Sequence, residues 1–211
     1  ADGAVRLAPK RRASKTDFSE EDMNAWIPMN VGEREVTDKK IRRAARDAKN
    51  LAAHAADIAV PANADLQHYL DSAQAGDHLI LAPATYRGNF VIKTPITLSG
   101  STTGETILDG GGKGKVLHIK AADSTIEHLI VQNSGSSLFD MDSGIFADRG
   151  AHNIRIHHNH ARDNLFGIYV WGPEKGIVEH NTVTGQTTGR TNDRGNGIQL
   201  WKSLHTIVRH N

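Results

Sequence analysis

The chain has 211 residues, a formal net charge of +1 from 25 basic and 24 acidic residues, and no cysteine. The balanced charge gives no electrostatic reason to expect nucleic acid or a membrane surface as a partner. The lack of cysteine excludes disulfides and thiolate metal sites, and no apolar run approaches the roughly 20 residues that cross a bilayer. We therefore expect neither a nucleic-acid-binding protein nor a protein inserted in the membrane.

Residues 1–57 differ in composition from the rest of the chain. They are rich in charge, poor in β-branched residues, and contain the basic clusters KRR and KKIRR. The run from Glu35 to Ala56 is rich in alanine and has good helix propensity, with Thr37 as a possible N-cap. We expect a charged, poorly packed extension that is irregular to about residue 35 and helical after it. A docking tail is the alternative interpretation.

An ordered domain is predicted over 58–211. IAV before Pro61 predicts a first strand, and Asn63 is placed to cap a short helix that continues to about Ala73. Its apolar residues fall on one face, at positions 66, 69, 70 and 73. A stack of repeated coils has an exposed core and open strand edges at each end. We therefore expect this helix to cap the N-terminal end of such a stack.

Short β-prone runs separated by turn residues follow. They include HLILA, NFVIK, ITLSG, TILDG, VLHIK and TIEHLIVQN. Two fifteen-residue units come next, GIYVWGPEKGIVEHN from Gly167 and GIQLWKSLHTIVRHN from Gly197, with a looser copy, GIFADRGAHNIRIHHN, from Gly144. Self-similarity at spacings of 23 residues (144 to 167) and 30 residues (167 to 197) indicates a repeat architecture.

The connections between these runs are too short for crossover helices, and the Asn-Gly or Asp-Gly pairs of tight hairpins are nearly absent. The sequence therefore predicts an all-β fold, a right-handed parallel β-helix. The chain stops directly after a repeat strand. We expect it to be a fragment truncated at its C-terminal end, or to have its last coil covered by a partner.

Stacked repeats turn positions in the sequence into columns about 4.8 Å apart. Asn159, Asn181 and Asn211 form one column, which we expect to hydrogen-bond along the stack. The preceding histidines form a second column that could coordinate copper or zinc, with one further histidine nearby: His158, His180, His210 and His160. The alternative is that these rings only pack or face water.

Trp171 and Trp201 form a third column, and tryptophan in one register suits either packing or an exposed platform for a partner or a sugar. The loop GQTTGRTNDRGN and the acidic run near 140 are predicted to lie beside it. The candidate partner-binding residues are Trp171, Trp201, Met141, Asp142, Arg190, Asn192 and Arg194.

Paired carboxylates on adjacent coils would allow a β-helix to cleave sugars by general acid–base chemistry. Asp140, Asp142, Asp163 and Asp193 are the candidates for such a pair. No motif singles out two of them, so no catalytic residue is assigned.

The runs MDSGIF, DNLFGIYVWG and NDRGNGIQLW resemble the NosD family of nitrous oxide reductase maturation proteins. The upstream stretch DLQHYLDSAQAGDHLILAPATYRGNFVIKTPITLSG, followed by ILDGGGKG, is similar to the start of that family's β-helix. The resemblance covers roughly 58–211. Residues 1–57 match nothing in the family, and the chain is about half the expected length.

The resemblance implies a non-enzymatic, periplasmic protein of denitrifying bacteria that acts beside an ABC transporter. Such proteins help to supply copper or sulfur for the copper–sulfide centre of nitrous oxide reductase. The implied partners are the membrane and ATPase subunits of the transporter, a copper chaperone and nitrous oxide reductase. The alternative is a carbohydrate-binding or carbohydrate-cleaving β-helix, similar to a polysaccharide lyase or glycosidase.

Overall fold

The computed structural model describes residues 39–43, 55–186 and 194–211. Residues 39–43 form an exposed helical segment within the unit Ala1–Ala48, and the remaining described residues belong to the unit Lys49–Asn211. The predicted N-cap Thr37 lies outside the described residues. The predicted boundary between 57 and 58 stays a prediction. Within the described part of the chain, no helix has the length and apolar character needed to span a membrane.

The unit Lys49–Asn211 consists of short strands and one helix, α1 (Leu66–Ser72). The strands are, in chain order, β1 (Asp57–Val60), β2 (His78–Leu81), β3 (Ala84–Arg87), β4 (Phe90–Ile92), β5 (Thr97–Ser99), β6 (Thr106–Asp109), β7 (Leu117–Ile119), β8 (Thr125–Glu127), β9 (Ile130–Gln132), β10 (Ser143–Ala147), β11 (Arg155–His157), β12 (His160–Asn164), β13 (Phe166–Trp171), β14 (Ile177–Glu179), β15 (Thr182–Gly185), β16 (Ile198–Trp201) and β17 (Ile207–Arg209).

From β2 onward every third strand enters the same sheet, so the chain winds through three sheets, and β1 is added to the edge of the first sheet beside β2. The first sheet has the order β1-β2-β5-β8-β11-β14-β17, the second β15-β12-β9-β6-β3, and the third β16-β13-β10-β7-β4. The pairs within each sheet are parallel. This arrangement confirms the predicted parallel β-helix. Its right hand stays a prediction.

The interior of the coil is filled by rows of apolar residues, one from each turn. In the first sheet, one such row is formed by register partners that are fully buried: Leu79, Leu98, Ile126, Ile156 and Val178. Burying a side chain of this size is worth about 1.5–3 kcal/mol. Stacking therefore supplies the stability that a single coil lacks.

Helix α1 covers the N-terminal end of the stack, as predicted. Leu66 and Leu70 are each 2% exposed and close the core. The Gln67 side chain also accepts a hydrogen bond from the Val91 backbone N–H at 2.8 Å and donates one to the Val91 carbonyl at 3.1 Å. These two bonds satisfy the backbone N–H and C=O of Val91 at the open edge of β4. The predicted N-cap Asn63 is wrong, because the carboxylate of Asp65 accepts the hydrogen bond from the His68 N–H.

Three strands of the second sheet, β3, β12 and β15, were not predicted. Their sequences are ATYR, HARDN and TVTG, and none of them contains a run of apolar residues. Ala161 and Val183, for example, are register partners that face the core, while their neighbours along each strand are polar. A pattern search by apolar runs misses such strands.

The glycine that opens the repeat lies in close contact with neighbouring strands at Gly144 and Gly167. A Cβ at Gly167 would lie 2.3 Å from Cγ1 of Val183 and 2.5 Å from the Gly197 carbonyl oxygen. A Cβ at Gly144 would lie 2.6 Å from the Asn164 amide nitrogen. Packing therefore requires glycine at these two positions, whereas a Cβ at Gly197 would meet Val183 at an ordinary contact distance of 3.4 Å.

Candidate functional site

A hydrogen-bonded asparagine ladder lies at the turn from the first to the second sheet. The side-chain oxygen of Asn181 accepts from the Asn159 backbone N–H at 3.0 Å, and Asn211 does the same for Asn181. The Asn181 amide also donates to the carbonyls of Ile156 and Glu179. Asn159 and Asn181 are 2% and 3% exposed. The predicted ladder is confirmed and has a structural role.

The histidine column lies directly beside this ladder and has four members. His128, His158, His180 and His210 all have φ between 54° and 57°, in the left-handed region. Their rings stack nearly parallel, with centroids 5.4, 5.2 and 5.1 Å apart. His128 was missed because leucine follows it, so it lacks the His-Asn signature. Aligning TIEHL with IRIHHN would have found it.

A row of polar side chains leads to the column along the outer face of the first sheet. Asp57 contacts Nδ1 of His78 at 3.1 Å, and Nε2 of His78 lies 2.7 Å from the Ser99 hydroxyl. Ser99 donates to Oε1 of Glu127 at 2.7 Å, and Oε2 of Glu127 lies 3.3 Å from Nε2 of His157.

The row ends where His157 meets the column. Nδ1 of His157 lies 2.9 Å from Nδ1 of His158. Burial lowers the pKa of His157, against the opposing effect of Glu127, so its imidazole is neutral at pH 7. The row of polar side chains therefore ends in a neutral imidazole at the edge of the histidine column.

An open groove of about 740 Å³ runs along the column. It is lined by His128, His158, His160 and His180 on one side and by the loop 101–106 on another. His160 lies on β12, and its Nε2 contacts the Thr184 hydroxyl at 2.9 Å. The structure thus brings three of the four predicted metal-binding histidines into one groove, with His210 at the end of the stack.

Parallel rings about 5 Å apart do not point their nitrogen atoms at one common position. Accordingly, no group of three or more His, Cys, Asp or Glu is arranged to hold a metal ion in the part of the chain that the structure describes. The prediction that His158, His180, His210 and His160 bind a metal therefore stays a prediction.

A second surface of interest is the outer face of the third sheet, which carries an aromatic cluster. Phe146 and Tyr169 are register partners and are 1% and 7% exposed. Trp171 packs against Phe146, and the Arg149 guanidinium lies 4.1 Å above its ring centroid. Trp201 is the register partner of Trp171 and is 52% exposed. Trp171 therefore packs within the chain, whereas Trp201 presents its ring to the surroundings.

The loop 133–142 lies beside this cluster. Asp142 is 7% exposed and accepts a hydrogen bond from the Ser137 N–H at 3.0 Å, so its carboxylate holds the loop. Met141 packs against the aromatic cluster, and Phe139 is 93% exposed. The loop thus presents an apolar tip that the sequence analysis did not single out.

The remaining predicted partner-binding residues belong to the loop between β15 and β16. Arg190 and Asn192 lie outside the described residues, as does Asp193. Arg194 is exposed. This loop and the loop 133–142 both connect the second sheet to the third. They therefore leave the coil at the same corner.

One half-buried acid–base pair on the third-sheet surface was missed. Nε2 of His118 lies 3.0 Å from Oδ2 of Asp148. Burial lowers the pKa of His118 despite this contact, and hydrogen bonds from the Arg149 N–H and His118 outweigh burial to lower the pKa of Asp148. A cavity of about 450 Å³ beside the pair is lined by His118, Lys115 and Asp140 among others. Thirty residues separate the pair, and no local motif signals it.

Two of the predicted catalytic carboxylates, Asp140 and Asp142, line this cavity, but both have other partners. Asp140 accepts from the Ser137 hydroxyl, and Asp142 is used inside its loop. Asp163 is exposed and has a φ of 54°, at a register irregularity within β12.

The fold and these surfaces define the class of the protein: a parallel β-helix with a histidine-lined groove at one turn and an aromatic surface on one sheet. Among solved structures, an alginate lyase from Paenibacillus sp. str. FPU-7 superposes with a TM-score of 0.54 and 18% identity, covering 72% of this chain and 64% of that chain. This likeness concerns the fold alone. No model of a known protein family matches the chain.

Two curated relatives carry the name "Probable ABC transporter binding protein NosD". The chain is 35% identical over 131 residues to the Pseudomonas aeruginosa protein and 33% identical over 131 residues to the Stutzerimonas stutzeri protein. The chain is NosD-like, being related to these proteins over 62% of its own length, and it spans 30% of theirs. The predicted relationship to the NosD family is confirmed.

Proposed function

We propose that the chain is part of a periplasmic accessory protein that acts with an ABC transporter to supply copper or sulfur for the copper–sulfide centre of nitrous oxide reductase. The observation that carries the proposal is the sequence relationship to the two NosD proteins, whose names describe binding to an ABC transporter. The protein is proposed to act without catalysing a reaction itself. Its partners are the membrane and ATPase subunits of the transporter, a copper chaperone and nitrous oxide reductase.

The third-sheet surface supports the docking part of this proposal. Trp201 is 52% exposed on β16 of the third sheet, and Phe139 is 93% exposed in the loop that precedes β10 of the same sheet. Exposed aromatic residues are enriched among the side chains that contribute most to protein–protein binding. Met141, Trp171 and Arg149 pack behind them and fix the surface.

The groove of about 740 Å³ supports the cargo part of the proposal. Neutral imidazole suits copper and zinc, and three predicted ligands, His158, His160 and His180, line this groove. The chain has no cysteine, so histidine is the main soft or borderline ligand that it can offer.

Binding to the purified membrane subunits of the transporter tests the docking part. We expect Trp201→Ala to weaken binding at least tenfold. Ile80→Ala serves as a matched control, because Ile80 is 37% exposed and lies on β2 in the first sheet. Equal binding of the wild type and Trp201→Ala would contradict the assigned surface. A wild-type chain that does not bind the subunits at all would contradict the proposed function.

A carbohydrate-binding or carbohydrate-cleaving role is the second candidate, and the pair of His118 and Asp148 favours it. An imidazole held by a carboxylate is a general base, and Lys115 in the same cavity could pair with an acidic sugar. Release of unsaturated or reducing sugars by the wild type, abolished in His118→Gln, would support this role. No turnover of acidic or neutral polysaccharides would exclude the cleaving role.

A further inference from the structure

The dipeptide Asn196-Gly197 directly precedes β16 and is the only Asn-Gly pair in the sequence. Glycine has no Cβ, so the backbone nitrogen beside the asparagine side chain is as uncrowded as it can be. Asparagine is also among the residues that are chemically least durable in proteins. Such a pair can react with itself where the fold leaves both the glycine N–H and the asparagine amide free to meet.

The N–H of Gly197 is not held by the fold. Among the described residues it has no hydrogen-bond acceptor. The Gly197 carbonyl accepts from the Ile168 N–H at 2.9 Å, and the Asn196 carbonyl accepts from the Gly167 N–H at 3.3 Å. This segment therefore binds β13 through its carbonyls. Gly197 is also exposed, and a Cβ built on it would meet nothing nearer than Val183 at 3.4 Å.

The side chain of Asn196 is exposed as well. Its amide nitrogen donates to the side-chain oxygen of Gln199, and this hydrogen bond is itself exposed. Because water competes for both partners, such a bond holds one side-chain conformation only weakly. Rotation about the side-chain bonds of Asn196 can therefore bring its Cγ to the nitrogen of the next residue.

A second asparagine that precedes a small residue, Asn133 before Ser134, is protected by the fold. The Asn133 amide donates to Oδ1 of Asp109 at 3.0 Å. The Ser134 N–H donates to Oδ1 of Asn164 at 3.0 Å, and Ser134 is 4% exposed. Both groups that would have to meet are already engaged, so this pair provides an internal reference.

We propose that Asn196 is a site of spontaneous modification, at which the chain converts its own asparagine to aspartate or isoaspartate. The Gly197 nitrogen gives its proton to hydroxide and attacks Cγ of Asn196, so an N–Cγ bond forms. The Cγ–Nδ2 bond then breaks, and Nδ2 takes a proton from water and leaves as ammonia. Water opens the resulting five-membered imide at one of its two carbonyl carbons. No oxidant or reductant is needed, and either product carries a carboxylate in place of a neutral amide.

The modification acts on the strand that carries Trp201. In the isoaspartate product the main chain runs through Cβ and Cγ of residue 196, which adds one atom to the backbone ahead of β16. The carbonyls of residues 196 and 197 are the acceptors for Gly167 and Ile168, so the added atom displaces the groups that keep β16 in register. Among the described strands, β16 pairs with β13 alone. Conversion therefore loosens this edge strand.

Incubation of the full chain at mildly alkaline pH in heavy-oxygen water, followed by peptide mapping with mass spectrometry, tests the site. The same chain unfolded in urea gives the reference rate at each position. We expect Asn196 in the folded chain to react within about threefold of its unfolded rate, with one heavy oxygen atom incorporated. Asn133 in the folded chain should react at least tenfold more slowly than in the unfolded chain. A folded rate at Asn196 tenfold below the unfolded rate would overturn the site.

Gly197→Ala is the matched variant, because it keeps the asparagine and its Cβ would make only an ordinary contact. It should lower the rate at Asn196 at least tenfold, and circular dichroism should show that it is folded. A rate equal to that of the wild type would contradict attack by the Gly197 nitrogen. In the purified modified chain, the Ile168 amide should exchange its hydrogen faster, and unchanged exchange would overturn the effect on β16. The incubation uses neither transporter nor cargo, so its outcome is independent of the proposed function.

Discussion

Replacing Asn181 by alanine tests whether the asparagine ladder holds the coils together. Asn181 is 3% exposed, and its oxygen is the partner of the Asn159 backbone N–H, which is also buried. In Asn181→Ala this N–H loses its hydrogen bond where water cannot easily reach it. An unpaired buried donor costs about 1–3 kcal/mol, and each further lost hydrogen bond about 1 kcal/mol. Since Asn181 also donates to the carbonyls of Ile156 and Glu179, we expect a loss of about 3 kcal/mol.

Urea unfolding followed by circular dichroism measures this loss. With a denaturant dependence of about 2 kcal/mol per molar, the midpoint should fall by about 1.5 M. Asn211→Ala is the control, because Asn211 makes the corresponding bonds but is exposed, so water can replace its side chain. Its loss should be about 1 kcal/mol or less. Equal losses in the two variants, or a loss below about 1 kcal/mol for Asn181→Ala, would refute the view that the buried ladder stabilises the stack.

Three further predictions concern packing, titration and the aromatic surface. Gly167→Ala should lower the unfolding free energy by about 2–4 kcal/mol, because its Cβ would lie 2.3 Å from Cγ1 of Val183 on β15. Gly185→Ala, with nothing within 4 Å, should be nearly neutral. Burial lowers the pKa of His118, so the unfolded chain binds more protons than the folded chain as the pH falls through about 6.5, and stability should fall between about pH 7 and 5. Melting curves of His118→Gln should lack this loss of stability, and a pH dependence equal to that of the wild type would contradict the prediction. In urea unfolding, Trp171→Ala should lower the unfolding free energy by about 2 kcal/mol, because Trp171 packs against Phe146 and Arg149. Trp201→Ala should lower it by less than about 1 kcal/mol, because Trp201 is 52% exposed. The reverse order would contradict this packing.

Much of the fold could be predicted because the repeats carry their own register. The strands of the first and third sheets hold runs of buried Ile, Val and Leu, which stand out from glycine and asparagine at the bends. Strands such as β12 and β15 could not be predicted, because each turns only one or two small apolar residues inward. The N-cap at Asp65 was missed because Asn63 has an equally suitable side chain, and the choice depends on where the helix meets the core.

The candidate site was only partly predictable for a related reason. His158, His180 and His210 share one offset within a repeat, so their alignment follows from the sequence. The contacts of Glu127 with His157 and of His118 with Asp148 join residues 30 positions apart. Coil lengths differ, and a sequence does not show which residues of unequal coils will meet.

Successive rungs of the asparagine ladder are 22 and 30 residues apart, yet the strands on both sides keep their pairing. The difference is absorbed at the corner between the second and third sheets, where Leu165 alone joins β12 to β13 and the segment 186–197 joins β15 to β16. Since closing a longer loop costs little additional entropy, this corner is a natural acceptor for insertions. A reporter peptide or a foreign recognition loop grafted after β12 should be displayed outward while the coils on either side keep their stacking.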